Sequence, residues 1–169
     1  MIIYAVDTGG EYITVEESCR RYPVGKRSVY VNLTNRCPCA CTFCLRPLKH
    51  MAQDSTLWLK REPTVAEVEA ELFALPWPFV KEVVFCGFGE PTMRLSDLAA
   101  LLGWVKREHP EVVTRLNTNG LSDLIYKRDT SPEFGGGILD IISISLNASN
   151  AERYLALTRN RFGIDSYEA

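Results

Sequence analysis

The chain has 169 residues, 46% of them hydrophobic and 24% charged, and its formal net charge is −2. This composition is typical of a globular protein, so we expect a single domain over residues 1–169. The near-neutral charge gives no general electrostatic case for nucleic-acid binding, and no apolar run reaches the roughly 18 residues of a membrane helix. Residues 1–20 lack the apolar core of a signal peptide, and the six cysteines then indicate a reducing, cytoplasmic setting.

The hydrophobic pattern predicts alternating strands and helices. Residues 2–5 and 12–15 flank two glycines and predict a β-hairpin within an N-terminal extension over residues 1–27. The charged residues 16–27 predict a surface connection with room for one helical turn. The predicted strands that follow are 28–33, 82–86, 112–117 and 138–146. The predicted helices start at Thr64, which forms a capping box with Glu67, at about Ser96 and after Asn150. Repeated strand–helix units predict a parallel α/β sheet, whose functional residues lie at the C-terminal ends of the strands.

The loop after the first of these strands carries the most informative pattern, NRCPCACTFCLR over residues 35–46. Cys37, Cys41 and Cys44 follow the spacing C-x3-C-x2-C, which lets three soft thiolates bind one side of an iron–sulfur cube and leaves one iron open. A zinc site is the main alternative, although it usually needs a second pair of ligands at matching spacing. Cysteines that bind no metal and only pack within the fold are a third alternative. Cys39 is interpreted as a bystander, because alternate residues in a tight loop tend to point apart.

Two further strand ends are rich in glycine or polar residues. The segment GFGEP, residues 87–91, is either a simple turn or a place where the backbone approaches a ligand. In the second case its carbonyls would accept from an ammonium group, and Glu90 would add a carboxylate. Asn117, Thr118 and Asn119 end the next strand as a polar strand end and turn.

The last predicted strand carries polar residues at alternate positions. Ser143, Ser145 and Asn147 share one face of it. In so apolar a strand they either pair with one another or bind the hydroxyls and polar end of a ligand.

Taken together, these motifs resemble the radical S-adenosylmethionine (radical SAM) superfamily. C-x3-C-x2-C after one strand, an aromatic Phe43 before the last cysteine, and G-x-G-E-P after the next strand carry the resemblance. The chain is most similar to the radical SAM proteins associated with TatD-family nucleases. The segments that carry this closer likeness lie between Tyr30 and Ala148 and read YVNLTNRCP, LWLKREPT, EVVFCGFGEPTMRL, RLNTNG and ISISLNA.

The resemblance implies a set of cofactor-binding residues. Cys37, Cys41 and Cys44 would hold a [4Fe–4S] cluster, whose open iron would chelate the amino and carboxylate groups of S-adenosylmethionine (SAM). Residues at the other strand ends would bind the rest of SAM. These are Gly87, Phe88, Gly89 and Glu90 for the amino group, Phe43 for the adenine, and Asn117 or Thr118 with Ser145 and Asn147 for the ribose or the methionine carboxylate.

The resemblance also implies the reaction and its partners. A reduced cluster would cleave SAM to methionine and a 5′-deoxyadenosyl radical that abstracts hydrogen from an unknown substrate. A flavodoxin- or ferredoxin-type protein would supply the electron, and a TatD-family nuclease is a possible functional partner. The step demands no general base, so no catalytic side chain is assigned and His50 and His109 are expected at the surface. An activating enzyme for a glycyl-radical protein, or a non-catalytic iron–sulfur or zinc module, remain alternatives.

The implied fold is a partial (β/α) barrel. The superfamily's usual core has six β–α units, whereas the sequence contains four before Ala169. The sequence is therefore either a truncated fragment or a short natural form, and in both cases we expect strands 5 and 6 to be missing and one edge of the sheet to be exposed.

Overall fold

The computed structural model describes residues 1–45 and 57–168. The expectation for His50 lies outside these residues. Within them, no helix combines the length and the apolar character needed to cross a membrane.

One six-stranded sheet organises the described residues, in the order β2-β1-β3-β4-β5-β6. The strands are β1 (Ile3–Val6), β2 (Tyr12–Ile13), β3 (Arg27–Val31), β4 (Val80–Phe85), β5 (Val113–Thr118) and β6 (Ile141–Ile144). β3 to β6 are parallel, as the sequence predicts. The predicted hairpin of β1 and β2 is confirmed, and β1 also pairs antiparallel with β3, so the hairpin extends the main sheet. The sequence pattern did not predict this second pairing.

The helices lie between the strands. They are α1 (Val15–Arg21), α2 (Val65–Phe73), α3 (Leu95–Glu108), α4 (Ser122–Tyr126) and α5 (Ala151–Thr158), with 3-10 turns at Trp77–Phe79, Pro91–Arg94, Ser131–Phe134 and Ile164–Tyr167. The capping box of Thr64 and Glu67 is confirmed at the start of α2, and the Asn150 side chain caps α5 by accepting from the Arg153 amide. α1 is a full helix capped by Thr14 where the sequence predicted a connection, because its charged residues hid the short apolar face of Val15 and Cys19.

The main core lies on one face of the sheet, under α2 and α3. Strand residues that point to this face, such as Val31, Phe85 and Leu116, are fully buried against leucines of α3 such as Leu98 and Leu102. Each such side chain contributes about 1.5–3 kcal/mol relative to an exposed position. Burial on this face therefore fixes which residues of β3, β4 and β5 point to the opposite face.

The opposite face carries aromatic and polar side chains. Tyr4 of β1 lies opposite Tyr30 of β3, and their rings stack with centroids 5.2 Å apart. Further along the sheet, Glu82 accepts a hydrogen bond from Ser28 at 2.6 Å and pairs with Arg115 at 3.2 Å. In a (β/α) barrel the helices lie on the outside, so this polar face corresponds to the barrel interior.

Two sequence expectations differ from the structure at the periphery. The apolar segment 138–146 forms only the four residues of β6, and Ile142, Ile144 and Leu146 are 50%, 59% and 50% exposed, because in the described residues this strand pairs only with β5. In the described residues the outer edge of β6 is therefore unpaired. His109 is half-buried instead of exposed, since its ring stacks on Trp77 with centroids 3.6 Å apart.

Candidate functional site

The cysteine loop, residues 37–44, emerges from a stem, residues 32–36, that directly follows β3. The side chains of the stem bond to the segment 57–62. The Asn32 amide donates to the Leu57 carbonyl at 2.6 Å, and the Asn35 side chain exchanges two bonds with the Leu59 backbone, at 2.7 and 3.2 Å. These bonds hold the stem of the cysteine loop against the segment 57–62.

Glu62 also binds the stem of the cysteine loop. Its carboxylate accepts from Arg36 Nε at 2.7 Å, from Arg36 Nη2 at 2.9 Å and from the Thr34 hydroxyl. Partial burial by itself would raise the pKa of Glu62. The hydrogen bonds from Arg36 and Thr34 outweigh this effect, and the pKa of Glu62 is lowered. The carboxylate is therefore ionised at neutral pH and binds the residue directly before Cys37.

The GFGEP segment after β4 packs against the other side of the stem. The Glu90 amide donates to the Arg36 carbonyl at 2.8 Å. A Cβ at Gly89 would lie 2.2 Å from the Thr34 carbonyl oxygen, and one at Gly87 would lie 2.2 Å from Asn32 Oδ1. The two glycines thus allow two strand ends to touch, which is a packing requirement independent of any ligand.

The Glu90 carboxylate is buried and bridges two strand ends. Oε1 accepts from the Thr92 amide at 3.1 Å, the Thr92 hydroxyl at 2.9 Å and the Thr118 hydroxyl at 2.7 Å, while Oε2 accepts from the Asn119 amide at 2.8 Å. A carboxylate oxygen can accept more than one hydrogen bond, so Oε2 retains capacity for a further donor. Its binding to an ammonium group stays a prediction.

The cysteine loop is held in place by the C-terminal end of α5. The amides of Ala40 and Thr42 donate to the last helical carbonyls, those of Thr158 at 3.0 Å and Leu157 at 2.9 Å. These bonds satisfy helix carbonyls that would otherwise lack a partner. The middle of the loop is therefore fixed by a helix that follows β6, although the two are more than a hundred residues apart in the chain.

The thiols lie close together in this loop. All six cysteines of the chain are in the described residues, and none forms a disulfide. Burial, followed by the nearby Cys37 and Cys44, raises the pKa of the Cys41 thiol. Cys39 is buried, and a hydrogen bond with Cys37 is the largest cause that raises its pKa. The expectation that Cys39 points away from its neighbours is therefore wrong, because the tight loop turns its thiol inward, where Asn119 Nδ2 lies 3.6 Å from the sulfur.

Three cysteine thiolates are a donor set that an iron–sulfur cluster takes. Among residues 1–45 and 57–168, no three histidine, cysteine, aspartate or glutamate side chains are arranged around one ion position. A cluster instead binds each thiolate at a different iron, so its ligands need not converge on one point. Cys37, Cys41 and Cys44 are all partly exposed, so none of the three thiols is sealed in the core.

The remaining predicted SAM-binding residues are spread along the edge formed by β5 and β6. Asn117 Oδ1 is buried and has no hydrogen-bond partner among the described residues, and Asn117 lies opposite Ser143 across the two strands. Ser145 and Asn147 are exposed, and Asn147 adopts φ 63° with its side chain donating to the Ser145 carbonyl at 2.9 Å. Phe43 is 46% exposed. The Asn117 oxygen can therefore accept from a ligand, as can Asn32 Oδ1 beside Gly87, which is also buried without a partner among the described residues.

Sequence reasoning missed the residues that support the site. Asn32, Asn35 and Glu62 bind no predicted ligand, but they hold the stem of the cysteine loop. The run of polar residues immediately after a buried strand was the available signal, since buried polar side chains need partners.

Three thiols in one loop at the C-terminal edge of a parallel α/β sheet, beside a glycine-rich strand end, are the arrangement that the sequence predicted for an iron–sulfur protein of the β/α type. The family model for the Radical SAM superfamily matches residues 31–168. The chain belongs to the radical SAM superfamily, whose members use a [4Fe–4S] cluster and SAM, and its sheet is consistent with that superfamily's partial β/α fold.

The curated relatives are GTP 3′,8-cyclases. The proteins of that name from two strains of Corynebacterium glutamicum (strain R and strain ATCC 13032) are both 34% identical over 139 residues, which cover 79% of this chain and 34% of the relative. The one from Paenarthrobacter nicotinovorans is 27% identical over 145 residues, covering 84% of this chain and 38% of the relative. The chain therefore spans about a third of the length of the curated relatives it matches.

Proposed function

We propose that this chain performs radical SAM chemistry and removes a hydrogen atom from a substrate. The observation that carries the proposal is the cysteine loop itself, which is anchored on both sides of its stem and lies beside the GFGEP segment. Family membership supports the same reading.

The residues of the chain have separable tasks in this proposal. Cys37, Cys41 and Cys44 hold the [4Fe–4S] cluster as thiolates. When bound, the cluster and SAM supply reductive cleavage to methionine and a 5′-deoxyadenosyl radical that abstracts hydrogen from the substrate. Because cofactors supply this step, the protein contributes binding and orientation.

The proposed SAM-binding residues lie in the cysteine loop and at or just after the C-terminal ends of β4, β5 and β6. The Gly87–Glu90 segment orients the amino group of SAM, with Glu90 Oε2 as the acceptor that retains capacity. Asn117 Oδ1 accepts a hydrogen bond from a hydroxyl of the ribose, which would satisfy an oxygen that is buried without a partner among the described residues. Phe43, Ser145 and Asn147 complete the binding of adenine and carboxylate.

The finer placement and the partners are part of the same proposal. The segments between Tyr30 and Ala148 support a place among the radical SAM proteins associated with TatD-family nucleases. The names of the curated relatives describe a GTP cyclisation in those proteins, and we extend only the shared radical chemistry to this chain. A flavodoxin- or ferredoxin-type protein is proposed as the reductant of the cluster, and the six cysteines favour a reducing, cytoplasmic setting.

The test is anaerobic reconstitution with iron and sulfide, followed by dithionite and SAM, with 5′-deoxyadenosine measured by chromatography. The Cys41→Ala variant removes one proposed ligand, and Cys19→Ala, outside the loop, is the matched control. We expect 5′-deoxyadenosine from the unsubstituted chain and from Cys19→Ala but not from Cys41→Ala. A cluster without the nucleoside product would instead support a binding-only module, and zinc-loaded, iron-free protein would refute the proposal.

A further inference from the structure

The thiol of Cys86 and the hydroxyl of Tyr4 form an isolated pair next to the proposed SAM site. Their Sγ and Oη atoms lie 3.6 Å apart, within hydrogen-bond distance for sulfur. Cys86 immediately precedes Gly87, and its amide donates to the Val31 carbonyl at 3.1 Å, so the strand geometry of β4 continues to this residue. Because Phe85 points to the helix-covered core, Cys86 points to the opposite face, where Tyr4 lies.

Tyr4 is the buried end of a group of three tyrosines. Its ring stacks on Tyr30 at 5.2 Å and meets Tyr12 edge to face at 5.5 Å. Tyr4 is 3% exposed, whereas Tyr12 and Tyr30 are partly exposed, so the group runs from Cys86 towards solvent. The N-terminal hairpin supplies Tyr4 and Tyr12 and lies outside the residues that the family model matches.

Tyr4 lines a small cavity next to the cysteine loop, and Cys86 directly precedes Gly87, which also lines it. This cavity has a volume of about 130 Å³ and is lined by Tyr4, Tyr12, Cys44, Gly87 and Phe88, among others. One of its walls is therefore a proposed cluster ligand, another is the proposed SAM-binding segment, and a third is the hydroxyl partner of Cys86.

Both groups keep their hydrogen at physiological pH. Burial raises the pKa of the Cys86 thiol. Burial, together with the neighbouring Cys86, raises the pKa of the Tyr4 hydroxyl. A neutral S–H and a neutral O–H can each give up a hydrogen atom, whereas a thiolate or a phenolate can give up only an electron.

We propose that Cys86 is a hydrogen-atom donor to a carbon-centred radical in this site and that Tyr4 restores its S–H bond; this inference rests on the proposed radical chemistry. In the first step a C–H bond forms on the radical, the S–H bond of Cys86 breaks, and Cys86 becomes a thiyl radical. In the second step the thiyl takes the hydrogen atom of the Tyr4 hydroxyl, and Tyr4 becomes a phenoxyl radical.

The cycle closes when Tyr4 receives one electron from the external protein reductant and one proton from solvent. The net change is that the carbon radical gains one electron and one proton. The first transfer is favourable, since a thiol S–H bond is weaker than an ordinary C–H bond. The second is nearly balanced, because phenol O–H and thiol S–H bonds are similar in strength.

The first test uses cofactor-free protein, so it does not depend on the proposed function. Radiolysis of a solution saturated with nitrous oxide and containing 2-propanol produces carbon-centred radicals that take hydrogen from thiols. Samples are frozen rapidly and examined for a tyrosyl radical by electron paramagnetic resonance. We expect the signal in the unsubstituted chain and its loss in both Cys86→Ala and Tyr4→Phe.

Matched controls separate this effect from general damage to the fold. Tyr22→Phe removes a hydroxyl that contacts Thr8, and Cys19→Ala removes a thiol packed at the main core. Both should keep the tyrosyl signal. Tyr4→Phe preserves the ring stack, so its fold can be verified by circular dichroism. A signal that persists in Cys86→Ala, or that is absent from the unsubstituted chain, would overturn the proposal.

The second test measures isotope transfer in the reconstituted protein. With SAM and dithionite in D₂O and no added substrate, hydrogen supplied by the solvent-exchangeable Cys86 thiol appears as deuterium in 5′-deoxyadenosine. We expect deuterium-containing nucleoside from the unsubstituted chain and loss of the label, but not of the nucleoside, in Cys86→Ala. Equal labelling in both would refute the role of Cys86. The total amount of nucleoside tests the proposed function separately, and the cofactor-free test still decides the pair if no nucleoside forms.

Discussion

Replacing Gly89 with alanine tests whether the contact between the GFGEP segment and the stem of the cysteine loop supports the site. The added Cβ would lie 2.2 Å from the Thr34 carbonyl oxygen and 2.6 Å from the Arg36 carbonyl oxygen. Close carbon–oxygen contacts in proteins lie at about 3.3–3.6 Å, so the two segments must separate by roughly 1 Å. Both oxygens belong to the backbone and cannot rotate away.

The expected cost follows from two effects. Overpacking costs about 1–3 kcal/mol, and separation also breaks the bond from the Glu90 amide to the Arg36 carbonyl, worth about 1 kcal/mol. We therefore expect Gly89→Ala to lower the free energy of unfolding by about 2–4 kcal/mol. Because the stem leads directly into Cys37, the variant should also retain less iron after reconstitution and desalting.

The assay is urea unfolding of the cofactor-free protein at 25 °C, followed by circular dichroism. Gly103→Ala is the matched control, because its nearest atom beyond the helix would be Ile138 Cγ2 at 3.9 Å, an ordinary contact. Alanine there should increase stability by up to about 1 kcal/mol through helix propensity. If Gly89→Ala is as stable as the unsubstituted chain, the reasoning about this contact is wrong.

Three further predictions concern the surroundings of the site. Glu62→Gln removes the charge from the hydrogen bonds to Arg36, so we expect the free energy of unfolding to fall by about 1 kcal/mol. The variant should also bind less iron in a colorimetric assay. An unchanged iron content would contradict the role of Glu62 in holding the cysteine loop. The Arg61 hydrogen bond lowers the pKa of Glu67 from 4.5 to about 2, so its contribution to stability is present above pH 4.5 and is lost as the pH falls towards 2. Glu67→Gln should flatten the dependence of unfolding free energy on pH in that window, and an unchanged slope would refute the assignment. Asn150→Ala removes the cap of α5 at a cost of about 1 kcal/mol, and hydrogen exchange should become faster at the loop amides that bond to this helix, although not at those of α3.

The sequence by itself determined the elements of the fold and the identity of the proposed ligands. The spacing of hydrophobic residues and the helix-capping residues are properties of one short segment of sequence. They were therefore enough to predict α2, α3, α5 and the four parallel strands. The spacing of Cys37, Cys41 and Cys44 is also local, and it favoured an iron–sulfur cluster over zinc or structural thiols before any tertiary contact was known. The resemblance to the radical SAM superfamily then implied the [4Fe–4S] cluster and SAM.

Tertiary structure decided how those pieces support one another. The attachment of the hairpin to β3, the closure of the stem by Glu62, and the docking of the cysteine loop on α5 join residues that are distant in sequence. Two interpretations changed because of contacts between segments that are distant in sequence. Gly89 packs against the stem of the cysteine loop whether or not a ligand is bound, and the Cys39 thiol points inward towards Asn119. Such contacts depend on which strand ends lie side by side, and periodicity in a single segment contains no information about its neighbours.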